Sequence, residues 1–521
     1  MKNILYTKRI LVAACCLLFT AYSHSQDGSL DLSFSTDGIL TTPIGLDEDY
    51  ARGIAIQTDG KIVVAGHAFN DESDVIAITR YNTDGSLDNT FDLDGIVTTL
   101  IGEDGGRAHA VAIQSDGKIV MAGHYSNGTD QDFVVVRYHS DGSLDNTFDT
   151  DGYASTGFGQ FSNDRSFAVA IQSDGKIVAV GYNTNPEGNV NREFAVVRYN
   201  ADGSADNTFD GDGALSTSIE VGGDEARSVI IQSDGKIVVG GFSFDSMTRE
   251  FCMVRYNTDG SLDNTFDTDG IVTTSISAFD DAGYAIAKQS DGKFVLVGYR
   301  SGLSIGETYD FAMVRYNTDG SLDSSFDDDG IAITSFGTSA TSADEAYSVA
   351  IQSDGKILVA GHADNYFAIV RYHTDGSLDN SFDSDGMVTT AIGGSGSEDL
   401  VYAMALQADG KIVVAGYSSN NDEYAFALAR YHNMGISAID MLDNQRTEAV
   451  VYPNPSNGTF QLKNIFPNSE ITIYDSMGRM ILTQRTNPLS EISIPENSTK
   501  GIYSVSIANC EIVEVLQLIV E

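Results

Sequence analysis

A passage of fourteen residues recurs seven times along the chain with almost the same letters. It reads IAIQTDGKIVVAGH from Ile54 and VAIQSDGKIVMAGH from Val111, and five similar passages follow. The glycines at its centre are separated by 57, 58, 60, 57, 63 and 55 residues; they are Gly60, Gly117, Gly175, Gly235, Gly292, Gly355 and Gly410. A tandem repeat of this length predicts similar supersecondary units that stack on one another.

Each unit contains four short apolar runs, which we number as strands one to four. In the second unit they are IVTT (96–99), HAVAIQ (109–114), KIVMAG (118–123) and FVVVRY (133–138). Asp116-Gly117 between the second and third runs indicates a two-residue β-hairpin. Both alternating sets of positions are apolar, so both faces of each sheet must be covered. The chain is therefore predicted to be all-β, with seven four-stranded blades closed into a β-propeller.

An open array of sheets is the alternative architecture. Such an array needs polar caps at its two ends. The first unit opens with DGSLDLSFSTDGILTT and the last ends with FALARYH, and neither sequence is typical of a cap. We therefore favour the closed ring, although all seven units begin in the same phase and do not reveal a strand shared between the ends.

The units differ in length in two connections only. The distance from the strand-four tyrosine to the glycine that opens the next unit is always 14 residues, as from Tyr81 to Gly95, and the hairpin turn is also constant. All length changes fall between strands one and two and between strands three and four, which share one edge of an antiparallel meander. We expect a constant face and a variable face, with binding on the variable loops.

The first 25 residues predict a secretory signal peptide. Lys2, Lys8 and Arg9 precede an apolar run over residues 10–22, which is too short to span a bilayer. No other stretch is long and apolar enough to cross a membrane. The mature protein should therefore be exported, without a transmembrane segment.

Charge and cysteine content exclude several classes of function. Loss of the signal removes three positive charges and moves the net charge from −44 to −47, which disfavours binding to nucleic acid or to an anionic membrane surface. Outside the signal the cysteines are Cys252 and Cys510, too few for a disulfide framework or a zinc cluster.

The histidines argue against catalysis. Two sets of three share a repeat position with tyrosine, phenylalanine or asparagine, which indicates space filling or turn capping; they are His67, His124 and His362, and His139, His373 and His432. Beyond the predicted signal peptide, only His109 lies outside these sets. We find no unit that breaks the symmetry with acids and bases facing the channel, and no Walker loop, G-x-S-x-G or H-E-x-x-H motif. No catalytic residue and no cofactor are predicted.

One arginine per unit lies inside the apolar run of strand four; the set is Arg80, Arg137, Arg198, Arg255, Arg315, Arg371 and Arg430. A buried guanidinium must be paired. We expect its partner to be an acid just ahead of the strand, such as Asp74, Asp132, Glu193 or Glu250, or the aspartate of DGSLD. An anion-binding ring is the alternative.

The connection DGSLDNTFDLDG is unusually acidic and contains Asp84, Asp88, Asp92 and Asp94. Aspartate and glycine favour tight turns, because the carboxylate accepts hydrogen bonds from nearby backbone amides. Closely spaced carboxylates also suit calcium, but the regular EF-hand spacing is missing. We favour turns and keep calcium binding as the alternative.

The repeated segments IQSDGKIVVAG, F-A-x-V-R-Y-N and DGSLDNTFDxDGIVTT resemble the delta-60 repeat proteins, a tandem family of predicted propellers. The resemblance covers residues 27–432 and implies the fold. It implies no shared reaction. The chain departs from the family pattern in favouring FDxDG and in Ser35.

Composition changes after the last repeat, where residues 435–449 read as a linker and residues 450–521 as short strands of a small β-sandwich. This tail resembles the type A C-terminal sorting domain of the type IX secretion system of Bacteroidetes. The positions that match its motifs are Tyr452, Pro453, Asn454, Pro455, Gly458, Gly478, Gly501 and Tyr503. The resemblance implies passage across the outer membrane through a type IX translocon, and removal of the tail by a sortase. Basic residues often present in the last strand are missing from EVLQLIVE.

We therefore expect a signal peptide over 1–25, a propeller over 26–434 and a sorting domain over 450–521. The favoured function is non-catalytic binding of a protein or glycan by the variable face of a secreted or cell-surface propeller. The alternatives are a propeller-type glycan hydrolase or lyase and a calcium-stiffened structural spacer.

Overall fold

A computed structural model describes two parts of the chain. The first is residues 27–433 except 47, 185–190, 303–307, 338–342, 395 and 421–422; the second is residues 450–452, 456, 459–463, 469–475, 479–486, 491–495, 500–508 and 513–520. The chain forms two compact units that divide between residues 435 and 436. The described residues include no helix able to cross a membrane. The predicted signal peptide and Cys510 lie outside the described residues, and Cys252 is buried and free.

The first unit consists of seven four-stranded antiparallel sheets. Blade 1 is formed by β2 (Tyr50–Ile56), β3 (Ile62–Phe69), β4 (Asp74–Tyr81) and β5 (Ile96–Thr99), with β1 described below. Blade 2 is formed by β6 (Gly106–Ile113), β7 (Ile119–Ser126), β8 (Gln131–Tyr138) and β9 (Tyr153–Thr156). Blade 3 is formed by β10 (Arg165–Ile171), β11 (Ile177–Thr184), β12 (Arg192–Tyr199) and β13 (Ala214–Thr217).

The next three blades repeat this order. Blade 4 is formed by β14 (Glu225–Ile231), β15 (Ile237–Phe244), β16 (Arg249–Tyr256) and β17 (Ile271–Thr274). Blade 5 is formed by β18 (Asp281–Lys288), β19 (Phe294–Ser301), β20 (Tyr309–Tyr316) and β21 (Ile331–Thr334). Blade 6 is formed by β22 (Glu345–Ile351), β23 (Ile357–Ala363), β24 (Tyr366–Tyr372) and β25 (Met387–Thr390).

Blade 7 combines the two ends of the repeat region. Its first three strands are β26 (Asp399–Leu406), β27 (Ile412–Asn420) and β28 (Glu423–Tyr431), and its outer strand is β1 (Ile39–Thr42). β1 pairs with β28, with Ile39 opposite Ala429 and Thr42 opposite Phe426. The first strands of neighbouring blades contact one another around the ring, including β2 and β26. The predicted seven-bladed propeller is confirmed, and its ring is closed by a strand from the other end of the repeats.

A sequence unit that opens with a run such as IVTT therefore does not form one sheet. Each blade begins one strand later in the chain. The run IVTT at 96–99 does not pair with strand two of its own unit; it is β5, the outer strand of the preceding blade. The physical reason is that the constant 14-residue connection after strand four returns the chain to the same sheet. The variable connection then carries the chain to the next blade.

The hairpin prediction needs a smaller correction. In blade 1 the amide of Gly60 donates to the carbonyl of Gln57, and the amide of Gln57 donates to the carbonyl of Lys61. The loop therefore contains three residues, 58–60, and not the two predicted from Asp-Gly. Gly60 has a φ of +84°, so it supplies the left-handed conformation that such a loop requires.

The core lies between blades, as expected for sheets that are apolar on both faces. Val63 and Ala65 of blade 1 pack with Ile119 and Met121 of blade 2 in one buried cluster. Equivalent clusters join every other pair of neighbours, including blades 7 and 1. Each blade is thus dry only because two others cover it.

The repeated arginines lie in the third strand of each blade and pair with the second aspartate of DGSLD. Arg80 Nε is 2.6 Å from Asp88 Oδ2, and the hairpin lysine Lys61 is 2.9 Å from the same oxygen. The acids just ahead of the strand are not these partners. Across the ring the arginine distances are 2.6–2.8 Å. In blade 7 the aspartate comes from the N-terminal segment, as Asp31.

This arginine also joins neighbouring blades. Arg198 Nη1 donates to the carbonyl of Thr258 in the next blade at 2.7 Å, and its guanidinium lies 4.6 Å from the centre of the Phe209 ring. On the opposite side, the third-strand tyrosine hydroxyls pair with threonines of the preceding blade, as Tyr138 with Thr99 at 2.8 Å. The constant residues of the repeat therefore hold the blades in register.

The acidic connection uses its carboxylates mainly within turns and ion pairs. Asp84 accepts from the amide and hydroxyl of Ser86, and Asp94 accepts from the amide of Ile96. Within the described residues, no group of three or more histidine, cysteine, aspartate or glutamate side chains is arranged to hold a metal ion. These contacts favour the turn interpretation.

The second unit contains two sheets. One consists of β29 (Val450–Tyr452), β30 (Thr459–Lys463) and β33 (Glu491–Ser493); the other of β32 (Met480–Thr486), β31 (Ser469–Tyr474), β34 (Gly501–Ala508) and β35 (Val513–Val520). Phe460 and Leu462 of the first sheet share a buried cluster with Ile471 and Val505 of the second. The predicted small β-sandwich is confirmed.

The predicted sorting-motif residues are only partly described. Tyr452 ends β29, Gly501 begins β34 and Tyr503 is buried within β34. The others lie outside the described residues; they are Pro453, Asn454, Pro455, Gly458 and Gly478. The roles of all eight in sorting stay predictions.

Candidate functional site at the mouth of the channel

The first strand of every blade contains a one-residue β-bulge. In blade 1, Ala51 pairs with Gly66 and Gly53 with Ala65, so Arg52 is left between them without a cross-strand partner. The bulge forms opposite the glycine of the repeated A-G, V-G or G-G pair, because a Cβ on Gly66 would overlap the carbonyl oxygen of Tyr50. The seven bulge residues are Arg52, His109, Phe167, Arg227, Tyr284, Tyr347 and Tyr402.

The bulge residues of neighbouring blades contact one another around the channel. The rings of Tyr284 and Tyr347 stack with centres 4.9 Å apart, and Tyr347 meets Tyr402 edge to face at 5.0 Å. The Arg52 guanidinium lies 3.9 Å from the centre of the Tyr402 ring, and the Arg227 guanidinium 4.0 Å from that of Phe167. We call this set the bulge ring. It is the floor of a cavity of about 410 Å³.

The cavity opens toward the variable face. Its wall residues lie at the starts of first strands and at the loop ends of second and third strands, which the variable connections join. The wall comes from blades 2, 3 and 4; it consists of Arg107, His124, Arg165, Tyr182, Arg192 and Glu225.

The lining is strongly cationic in a very acidic protein. Five of the eighteen arginines in the chain line the cavity, together with the single described carboxylate of the lining, Glu225. Glu225 pairs with Arg192 and Arg227. The Nε atoms of Arg52 and Arg227 are buried and have no hydrogen-bond partner among the described residues. Buried donors without acceptors are uncommon, because leaving them unpaired costs free energy.

Two neutral histidines lie beside these arginines. His109 Nε2 and His124 Nδ1 are 3.2 Å apart. Burial and the neighbouring positive charges hold the pKa of His109 well below its usual range and lower that of His124 to about 3. Burial also raises the pKa of Tyr284 and Tyr347 well above the usual value. At neutral pH these groups are uncharged and offer hydrogen bonds to hydroxyl groups.

The absence of a unit with convergent acids and bases at the channel stays a prediction, but the seven units are not equivalent there. The bulge position holds arginine, histidine, phenylalanine or tyrosine in different blades, so the channel mouth is chemically asymmetric. His67 and His124 line or adjoin this region, and His109 belongs to the bulge ring. The signal in the sequence was the position two residues before the aliphatic residue that opens runs such as VAIQ, where the residue type varies between units, although Tyr284, Tyr347 and Tyr402 share it.

The constant face holds a larger cavity, of about 960 Å³, between blades 3 and 4. Its polar lining includes Gln172, Lys176 and Arg198, which recur at the same place in the repeats. The repeated contacts of arginine, aspartate and hairpin lysine, as in Arg80, Asp88 and Lys61, we call triads. Three histidines on this face lie 3.5–3.7 Å from triad aspartates; they are His139, His373 and His432. Because these side chains belong to the repeated frame, the channel mouth is the better candidate site.

Comparison with known families identifies both units. The domain of unknown function (DUF5122) beta-propeller model matches residues 57–91, 114–148, 172–209, 232–266, 289–326, 352–382 and 407–435. The secretion system C-terminal sorting domain matches residues 450–521. A comparison with curated proteins gives no match.

The propeller is also similar to solved structures at low identity. PorZ, a surface component of the type-IX secretion system of Porphyromonas gingivalis, is 13% identical with a TM-score of 0.39; the match covers 92% of this chain and 61% of that chain. The polysaccharide lyase Uly1 is 11% identical with a TM-score of 0.42; the match covers 80% of this chain and 94% of the lyase chain. A Trypanosoma rangeli sialidase is 10% identical with a TM-score of 0.36; the match covers 92% of this chain and 87% of the sialidase chain.

The family matches agree with the seven repeats and with the separate C-terminal unit. The sorting domain indicates export and implies interaction with the type IX secretion machinery. The chain is therefore a seven-repeat DUF5122 β-propeller protein with a C-terminal sorting domain, exported by type IX secretion to the cell surface or the extracellular space.

Proposed function

We propose that the protein binds an acidic glycan at the channel mouth, on its variable face, without converting it chemically. The observation that carries this proposal is the convergence of five arginines on one cavity of a chain with net charge −44. Two of these arginines, Arg52 and Arg227, have buried Nε donors without described acceptors. A carboxylate or sulfate group would supply those acceptors.

A glycan fits this cavity better than a simple inorganic anion. Aromatic side chains surround the arginines. Three of them lie together in the floor of the cavity; they are Tyr284, Tyr347 and Tyr402. Sugar rings pack against such faces, while neutral tyrosine and histidine groups hydrogen-bond hydroxyls. A volume of about 410 Å³ lies within the range of small-ligand sites.

The described lining of the cavity contains one carboxylate, that of Glu225. A single carboxylate favours binding over hydrolysis. Glycoside hydrolysis by the common mechanism uses two carboxyl groups, one of them protonated. Glu225 is held in ion pairs with Arg192 and Arg227. A calcium-stiffened spacer stays a separate prediction of the sequence.

The test is a glycan and protein array probed with the purified protein, with and without calcium. We expect binding to uronic-acid or sulfated glycans, weakened by salt, and about 10- to 100-fold weaker for Arg52→Gln or Arg227→Gln, the loss of one charged hydrogen bond. The control is Arg300→Gln, because Arg300 pairs with Asp310 outside the cavity. Equal binding to acidic and neutral glycans would contradict the proposal.

The second candidate function is a lyase acting on the same acidic glycan. The observation that favours it is the neutral His109–His124 pair beside the arginines. An arginine would neutralise a uronate carboxylate and an imidazole would take the C5 proton. The C4–O4 bond then breaks, a C4=C5 double bond forms, and the leaving oxygen takes up a proton. An ultraviolet-absorbing unsaturated product would establish this function in place of binding alone.

A further inference from the structure

We infer that the channel mouth continues into a second subsite, and that the ligand is an oligosaccharide in which an acidic residue is linked to an uncharged one. This inference rests on the proposed function. It assigns the acidic residue to the cationic cavity and the uncharged residue to a neighbouring cavity on the same face.

The second cavity has a volume of about 350 Å³ and lies between the loops of blades 3 and 4. It shares Arg192 and Glu225 with the channel mouth, so the two cavities meet at that ion pair. Its other side is formed by Phe242, Met247 and Arg249. A chain of two linked sugars can therefore occupy both cavities while passing over Arg192.

The backbone keeps this cavity open. Gly222 lines it and donates its amide to the carbonyl of Phe244 at 2.8 Å. A Cβ on Gly222 would overlap that carbonyl oxygen, so only glycine allows this close approach of the two loops. A larger residue at this position would displace the loop that forms the wall.

The charge of the second cavity differs from that of the channel mouth. Its lining contains two arginines, Arg192 and Arg249, and two acids, Glu225 and Asp280. Arg249 donates from Nη1 to the hydroxyl of Tyr299 at 3.1 Å, and its amide donates to Asp280 Oδ1 at 3.0 Å. Because the charges balance, a second anionic group gains little there.

The rim of the second cavity is apolar and exposed. The Met247 side chain is 80% exposed, and Val221, beside Gly222, is 70% exposed. Large apolar side chains exposed together in this way often mark binding surfaces. An uncharged sugar ring, which has apolar C–H faces and hydroxyl edges, matches an apolar rim above balanced polar groups.

Three probes test the inference by calorimetric titration of the purified protein. They are glucuronic acid, a disaccharide of glucuronic acid linked to a neutral sugar, and a disaccharide of two uronic acids. We expect the mixed disaccharide to bind at least 10-fold more tightly than glucuronic acid and more tightly than the diuronate. Met247→Ala and Arg249→Gln should remove most of this gain and leave the affinity for glucuronic acid unchanged.

The matched control is Leu46→Ala, because Leu46 is an exposed apolar residue of another variable loop and does not line either cavity. If the three probes bind equally and the variants change nothing, the second subsite is disproved and the proposed function stands. If no probe binds the wild-type protein, the proposed function fails and this inference fails with it.

Discussion

Deletion of residues 27–42 is expected to lower the free energy of unfolding of the propeller by more than any single substitution. This segment supplies β1, the outer strand of blade 7, and it buries Phe34 and Leu40 in the cluster that joins blades 7 and 1. Without it, Phe426 and Leu428 become more exposed to solvent. Blade 7 then lacks its outer strand, and the ring is no longer closed. We expect a broad unfolding transition in urea where the intact protein has a steep one.

A single substitution tests the same closure more gently. Asp31→Ala removes the partner of the buried Arg430 and of Lys411, and should cost about 3–5 kcal/mol, as for other broken buried ion pairs. Asp88→Ala breaks the equivalent contacts within blade 1 and is the matched control. We expect Asp31→Ala, but not Asp88→Ala, to increase proteolysis of the N-terminal segment.

Removal of residues 436–521 is the control for shortening the chain. These residues form a separate compact unit, so their loss should leave the unfolding midpoint of the propeller unchanged. An unfolding transition equally steep with and without residues 27–42 would contradict closure by β1.

Mild acid is expected to destabilise the protein before its triad aspartates are titrated. Burial holds the pKa of His67 and His109 well below 6.5 and lowers that of His124 to about 3 and His362 to about 4. The unfolded chain takes up these protons below about pH 6.5, whereas the folded protein does not. Stability is therefore complete above that pH, and between pH 7.5 and 5 it should fall by about 2 kcal/mol for each histidine.

Two buried aspartates oppose this loss. Burial raises the pKa of Asp164 and Asp224 to about 6, so their stabilisation is greatest below 3.8 and declines as the pH rises toward 6. Each aspartate should raise the free energy of unfolding by about 1 kcal/mol when the pH falls from 7.5 to 5. The net loss is then roughly 6 kcal/mol, from four histidines at about 2 kcal/mol each and two aspartates at about 1 kcal/mol each.

The chain itself suggests the variant that checks the histidine effect. Tyrosine occupies the place of His362 in three other blades, so His362→Tyr should fold. Urea unfolding at pH 7.5 and 5 should show a pH-dependent loss smaller by about 2 kcal/mol than in wild type. Asp164→Asn should change the loss in the opposite direction. A wild-type stability equal at both pH values would contradict the account.

Below pH 5 the triad aspartates add to the loss. Burial alone would raise the pKa of Asp88, but hydrogen bonds from Thr90 and Lys61 and the charge of Arg80 bring it well below 3.8. The same holds for its equivalents in the other blades. Their stabilisation is present above the unfolded value and is lost as the pH falls through it.

The frame of the propeller was predictable because it is periodic. The four apolar runs, the constant turn at Gly60 and the 14-residue connection after Tyr81 recur with fixed spacing, and spacing alone determines pairing and faces. The partner of Arg80 was narrowed to two choices, and the structure selects Asp88. The phase of the blades was not predictable, because a cyclic repeat reads the same from any starting strand.

The candidate site was missed because it depends on departures from the period. A β-bulge at Arg52 changes which side chain faces the channel, and alternation in a sequence does not reveal a single inserted residue. The contact of His109 with His124 depends on that bulge and on the register of two strands. Neighbours of Arg227 come from three different blades, so no local motif records them.

The most direct test of the central claim is a crystal structure of the protein grown with a saturating acidic oligosaccharide. The claim is that the constant parts of seven repeats build a closed ring and that their unlike bulge residues bind the ligand. We predict the acidic group at the channel mouth, about 2.7–2.9 Å from guanidinium nitrogens of Arg52 or Arg227, as in other charged hydrogen bonds. Ligand bound on the constant face, with an empty channel mouth, would contradict it.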